Sequence, residues 1–206
     1  MTTLLLLRHA AHDWLGRGIA GRLAGVSLND EGRLQAQALA LAQRTQTPID
    51  AIYSSPRQRA RETAVPLAQR LELPVTLAPE FDEIDFGGWT GWTFEQLRQE
   101  GARWREWVER RSAARPPGGE CFADVARRAM AGAERLAGLH PARNVLVVSH
   151  GDVIKALLAT CLGLSLDSLE RFDVAPASLS VIARTQGDAW RVTGINRTPT
   201  EPSPLR

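Results

Sequence analysis

Four consecutive leucines, Leu4 to Leu7, run directly into Arg8 and His9, and a second apolar run, Val145-Leu146-Val147-Val148, meets Ser149-His150-Gly151. Short continuous apolar runs bounded by polar residues predict strands buried on both faces. The first strand is expected over residues 3–7, with further strands at 51–54 and 75–77. A hairpin over residues 179–184 and 190–195, flanking Gly187-Asp188, is expected at the sheet edge. Helical stretches alternate with these strands. Asn29 or Asp30 can cap a helix reaching about residue 46, with Leu34, Ala38 and Leu41 on one face. Ser55-Pro56-Arg57-Gln58 has the order of an N-cap, a first-turn proline and a capping box, which predicts a helix to about Leu71. Thr93-Phe94-Glu95-Gln96 is a second capping box, opening one helix to about Arg111. Residues 122–139 are expected to be helical until Pro141, and residues 153–162, apolar nearly all round, form a buried helix. Glycine and proline mark loops over residues 10–28, 79–92 and 114–120.

Alternating strands and helices predict an α/β fold: a three-layer α/β/α arrangement around a mostly parallel central sheet. The chain has 206 residues, enough for one sizeable core, and residues 1–197 are expected to form a single domain. Residues 198–206, with three prolines, are expected to be a loose tail. At 44% hydrophobic and 23% charged the composition is that of an ordinary globular protein. A net charge of +2 gives no strong nucleic-acid footprint. Lys155 is the sole lysine, so arginine is abundant throughout and each single arginine is weaker evidence of function. Cys121 and Cys161 lack metal-site spacing and are expected as reduced packing residues. The leucine run is too short for a signal peptide or a membrane span, so the expected location is the cytoplasm, with no membrane partner.

The chemistry collects at the strand ends. Open α/β sheets build their sites at the carboxyl edge of parallel strands. Arg8 and His9 follow the first strand. Ser54, Ser55 and a helix start bearing Arg57, Arg59 and Arg61 follow the second, and Ser149, His150 and Gly151 precede another helix. Right-handed crossovers bring these groups to one edge. Two imidazoles, guanidinium groups and two helix N-termini suit a phosphoryl group. Neutral imidazole is a competent nucleophile, and arginines can neutralise the charge that a divalent metal neutralises elsewhere, so no metal or cofactor is expected. A leaving oxygen needs a proton, and Glu80, Asp82, Glu83 and Asp85 are all candidates to supply it.

With these motifs the chain resembles the histidine phosphatase superfamily, also called phosphoglycerate mutase-like. Arg8-His9-Ala10 stands for the family's Arg-His-Gly, and Ser54 to Ala64 for its Ser-x-x-x-x-Arg-Ala-x-x-Thr-Ala helix start. Glu83 to Gly91 matches its acidic Phe-Gly-x-Trp-x-Gly loop, and Val148-Ser149-His150-Gly151 its second histidine motif. The resemblance implies that His9 is the phosphorylated nucleophile. It makes Arg8, Arg59 and His150 the phosphoryl-binding groups, with Gly151 beside them, and Glu83 the acid and then the base. Helix spacing supports Arg59 separately: Arg57 and Arg61 share a face expected in solvent, whereas Arg59 points elsewhere. Arg22 matches loosely a family arginine at the pocket mouth and is a candidate substrate ligand. The function implied is metal-independent hydrolysis of a small-molecule phosphomonoester through phosphohistidine, in the phosphatase branch. The oligomeric state is left open.

Several residues depart from the pattern. Ala10 replaces glycine, and an αL backbone there would be strained. An asparagine that contacts phosphate in many relatives is missing from Ala11-His12-Asp13-Trp14-Leu15, and His12 is either its substitute or, by the stronger expectation, an exposed loop residue. Trp104 and Trp107 are expected to pack, Trp89 and Trp92 to wall a pocket or to be structural, and His140 to be a surface cap. The turn Pro117-Gly118-Gly119-Glu120 resembles a substrate-bordering loop of the phosphatases. Arg110-Arg111-Ser112 before Pro116-Pro117 faintly resembles a mutase segment. Phosphoglycerate mutase chemistry and a non-catalytic phospho-ligand module are therefore the alternatives.

Overall fold

The computed structural model describes residues 1–42, 48–184 and 189–198. Its elements are β1 (Thr3–Arg8), α1 (Asp30–Ala42), β2 (Ala51–Ser54), α2 (Gln58–Leu71), β3 (Val75–Leu77), α3 (Phe94–Gln99) and α4 (Ala102–Glu109). They continue with α5 (Phe122–Leu139), β4 (Asn144–Ser149), α6 (Gly151–Leu162), β5 (Leu179–Arg184) and β6 (Trp190–Arg197). The strands form one sheet in the order β3-β2-β4-β1-β5-β6. β3, β2, β4 and β1 are parallel, and β5 and β6 add an antiparallel edge. The turn expected at Gly187-Asp188, the end of the first helix beyond Ala42, and the tail from Pro199 lie outside the described residues.

The pleat sends alternate residues of the buried strands to opposite layers. Leu4, Leu6, Val145 and Val147 pack with α5 and α6. Leu5, Leu7, Leu146 and Val148 pack with Ala60, Ala64 and Leu67 of α2 on the other face. This is the expected three-layer α/β/α arrangement. Residues Val153 to Ala159 of α6 are buried, as the apolar run implied. Complete burial of each leucine or valine contributes about 1.5–3 kcal/mol, which fixes the register of the two central strands.

Three local expectations are corrected. The face of α1 that meets the protein is Gly32, Ala36 and Ala40, while Leu34 and Leu41 are 66% and 70% exposed. Close approach decides this, because a Cβ on Gly32 would lie 2.0 Å from the Ala11 carbonyl oxygen and only small residues fit. The helix expected from Thr93 to Arg111 is two helices, broken at Gly101, where φ is +61°; the capping box at Thr93 does form. The capping box at Ser55 does not. α2 starts at Gln58 with no side-chain cap, because the Ser55 hydroxyl is drawn into the site.

Candidate active site

β1 and β4 are paired in register, Arg8 opposite Ser149, and the His9 N–H donates to the Ser149 carbonyl at 2.9 Å. Both chains therefore leave the sheet at the same level, and the rings of His9 and His150 stand 5.1 Å apart. Both histidines are buried. β2 ends one strand further along, delivering Ser54, Ser55 and the first turn of α2, where Arg59 is 1% exposed. The loop after β3 brings Glu83, and one ligand atom each from His9, Glu83 and His150 lie within 4.8 Å of one another.

The tautomer of His9 follows from its partner. Nδ1 lies 2.9 Å from the Ala10 carbonyl, which can only accept, so Nδ1 carries the proton and Nε2 holds the lone pair. Burial, then the positive Arg59 and Arg8, keep this imidazole well below its usual basicity, hence neutral. Ala10 is fully buried, is not among the residues with positive φ, and donates its N–H to Thr63 Oγ1 at 3.0 Å. The alanine therefore causes no backbone strain.

Arg59 is the hub. Its Nη2 donates to the Gly21 carbonyl at 2.9 Å, to Glu83 Oε2 at 3.2 Å and to His150 Nδ1 at 3.1 Å. Among the described residues, its Nε and Nη1 are buried without a partner, and so is Nε of Arg8. Arg8 is anchored through Nη1 to the Val174 carbonyl at 2.6 Å. Gly151 leaves room for that guanidinium, since a Cβ would sit 3.1 Å from Arg8 Cζ. Gly151 also opens α6, whose first turn offers N–H groups with no intrahelical acceptor. Unpaired buried donors of two guanidiniums, with a helix N-terminus beside them, form a receptor for an anion.

His150 accepts from Arg59 at Nδ1, so Nε2 donates to Ser55 Oγ at 2.8 Å. Ser55 in turn donates to Asp82 Oδ1 at 3.1 Å, and Asp82 also accepts from Arg57 Nε and from the Glu83 N–H. Glu83 is buried, and burial raises its carboxyl to about 7 against the opposing pull of Arg59. His9, Glu83 and His150 are close enough to surround a cation. Their surroundings oppose one: Arg59 already donates to both Glu83 and His150, and its charge and that of Arg8 face the same space.

Arg8, Arg59, His9, His150, Gly151 and Glu83 thus converge. Arg22 lies beside them with its guanidinium engaged by the Glu83 carbonyl at 2.8 Å, Asp85 at 3.2 Å and Glu120 at 3.0 Å. Two expectations are corrected at this point. Arg57 is not a free surface residue, being tied to Asp82 at 2.9 Å and to the Arg22 carbonyl at 3.0 Å. His12 is buried, not exposed, with its ring 5.0 Å from that of His9. Trp89 is fully buried in the core, Trp104 and Trp107 stack at 5.2 Å, and His140 bonds the Tyr53 hydroxyl at 2.9 Å. Ser55, Asp82 and Glu120, singled out in the sequence by their segments, support the site through hydrogen bonds, and Arg128 was missed. Arg128 on α5 carries no signal in the sequence. Arg128 donates to the carbonyls of Glu80 and Glu83 and to Glu120.

A family model described as the histidine phosphatase superfamily, branch 1, matches residues 4–198. The chain belongs to that superfamily. A bifunctional protein of Mycobacterium tuberculosis is 38% identical over 204 residues, covering 96% of this chain and 54% of its own length. The chain thus spans about half the length of the mycobacterial relatives it matches. Phosphoserine phosphatase 1 of Hydrogenobacter thermophilus is 33% identical, covering 88% of this chain and 86% of the relative. Among solved structures, a mycobacterial glucosyl-3-phosphoglycerate phosphatase superposes with a TM-score of 0.83 at 30% identity, covering 95% of this chain and 99% of the other. The histidine phosphatase motifs quoted from the sequence are the segments that meet around His9.

Proposed function

We propose that this chain is a metal-independent phosphomonoesterase that works through a phosphohistidine on a small phosphorylated metabolite. The observation that carries the reading is the fixed neutral tautomer of His9, with Nε2 as its lone-pair nitrogen, set among the unpaired guanidinium donors of Arg8 and Arg59. Relatives named for phosphoserine and glucosyl-3-phosphoglycerate phosphatase activity support a small substrate.

In the first step His9 Nε2 attacks phosphorus in line. The bond from phosphorus to the ester oxygen breaks, and that oxygen takes the proton of Glu83. A carboxyl held at about 7 is about half protonated at neutral pH, so a large share of the molecules carry the acid form. Arg8 and Arg59 spread their charge over the phosphoryl oxygens. His150 stays neutral, held by Arg59 at Nδ1 and by Ser55 at Nε2, and keeps the Arg59 guanidinium against the same oxygens. In the second step the Glu83 carboxylate removes a proton from water, the water oxygen attacks phosphorus, the bond to His9 breaks and phosphate leaves.

A mutase reading would use Arg110, Arg111 and Ser112 to grip a substrate acid. These residues have partners outside the group around His9: Arg110 pairs with Glu106, Arg111 with Glu170, and Ser112 with Asp167. That favours hydrolysis. The test is hydrolysis of p-nitrophenyl phosphate in EDTA, together with acid-labile phosphate on His9 in quenched enzyme. Loss of activity in EDTA rejects metal independence, and retained activity in His9→Ala rejects the nucleophile.

A further inference from the structure

His12 is not explained by the chemistry above. It sits in the loop that leaves β1, three residues beyond His9, and is 5% exposed. The loop is pinned at several points. The Ala11 N–H donates to Gln35 Oε1 at 3.0 Å, the Asn29 N–H donates to the Ala11 carbonyl at 3.2 Å, and the Leu15 N–H donates to the His12 carbonyl at 3.1 Å. α1 presses on the same backbone at Gly32. The ring therefore has a fixed seat, 5.0 Å from the ring of His9 and tilted 41° to it.

Its tautomer is fixed as well. His12 Nδ1 accepts the Trp14 N–H at 3.2 Å, so the single proton of the neutral ring is on Nε2. Burial, then Arg59 and Arg8, lower its basicity to about 4, with Asp13 acting weakly in the opposite sense. A buried imidazole facing two guanidiniums and a second imidazole is poorly placed as a packing residue. The same grouping becomes favourable once a dianion enters, because both guanidiniums and the His12 Nε2–H then have an anionic acceptor.

We propose that His12 is a third imidazole of the phosphoryl site, donating its Nε2–H to an oxygen of the phosphoryl group held against His9. The proposal rests on reading the cleft as a phosphoryl site and adds a ligand to it. Arg8, Arg59, His150 and His12 would then surround one phosphate dianion.

Inorganic phosphate is the probe, because its binding requires no covalent step. Calorimetric titration of phosphate at neutral pH should show His12→Phe binding roughly tenfold or more weakly than wild type, the loss of one charge-assisted hydrogen bond. His12→Gln, which carries an amide N–H at the end of its chain, should recover part of that loss. The sequence has only four histidines, and following the His12 ring in nitrogen-15 spectra of the wild-type protein keeps the test independent of how the variants fold. Phosphate should shift the His12 Nε2 signal and raise the pH at which that ring titrates. A folded His12→Phe protein with unchanged phosphate affinity, or a His12 Nε2 resonance that phosphate leaves unmoved, overturns the proposal. If phosphate binding depends on His12 but no phosphohistidine forms, the covalent mechanism fails and this assignment stands. If phosphohistidine forms and His12 is indifferent to phosphate, the reverse holds.

Discussion

In the proposed mechanism, replacing Glu83 by glutamine removes the proton that the leaving oxygen needs and keeps a side chain of similar shape beside Arg59. Burial holds the Glu83 carboxyl at about 7, so roughly nine-tenths is protonated at about pH 6 and one-tenth at about pH 8. His9 stays neutral over that interval, because its basicity lies well below the usual 6.5. Hydrolysis of an alkyl phosphate by the wild-type enzyme should therefore fall about tenfold across those two pH units. The glutamine variant should lose about 10²–10⁴-fold on the same ester, the usual contribution of a positioned acid. On p-nitrophenyl phosphate, whose phenolate leaves without a proton, the loss should be much smaller. Stability carries the same signature with a definite sign. A carboxyl raised on folding destabilises the native state increasingly as pH rises from its unfolded value of 4.5 through about 7, so Glu83→Gln should gain on wild type over that range. Steady-state kinetics on the two esters, with urea melts at several pH values, decide the matter. Equal losses on both substrates, or an alkyl-ester profile that rises through pH 7, would refute the reasoning.

Gly151→Ala places a methyl 3.1 Å from Arg8 Cζ and should cost about 1–3 kcal/mol in a urea melt, with KM for p-nitrophenyl phosphate rising more than kcat falls. Arg128→Met removes the donor shared by the Glu80 and Glu83 carbonyls and the Glu120 carboxylate, and should cost about 1–3 kcal/mol. Because Arg128 positions Glu83, the variant should also move the pH at which alkyl-ester hydrolysis falls, which a purely structural lesion would leave in place. Ala10→Gly, restoring the family residue at a position without positive φ, should lower stability by about 0.4–1 kcal/mol and leave kcat unchanged. A gain in either would show that the alanine is strained.

The strand ends were legible because an apolar run buried on both faces has one reading, and the residue after it must emerge at the sheet edge. His9 and His150 were readable for that reason, and Arg59 through its helix offset from Arg57. What could not be read depends on partners distant in the chain. Leu34 and Leu41 formed the obvious apolar face of α1, yet Gly32 against the Ala11 carbonyl turned the small residues inward. Ser55 has the pattern of a cap, and its hydroxyl went to Asp82 and His150 instead. His12 looked like any loop histidine until Gln35 and Asn29 fixed the backbone of Ala11 beside it. In each case a tertiary contact outweighed a local preference worth about 1 kcal/mol.

The choice among the four acids of the loop shows the same physics at the site itself. Charge and loop position alone do not distinguish Glu80, Asp82, Glu83 and Asp85, and the protein separates them by partner and by depth. Glu80 faces Arg135, Asp82 takes Arg57, and Asp85 takes Arg22, each ion pair keeping some solvent contact. Arg22 and Arg128 grip the Glu83 backbone through its carbonyl, which directs the side chain inward without neutralising it. Inside, Glu83 meets one edge of Arg59 and no water-facing cation, so desolvation dominates and its proton is retained to near neutrality. Four arginines, Arg22, Arg57, Arg128 and Arg135, thereby leave Glu83 as the carboxyl of this loop that keeps its proton to near neutrality. The same arrangement accounts for Glu120, whose carboxylate balances Arg22 and Arg128 while they hold the loop.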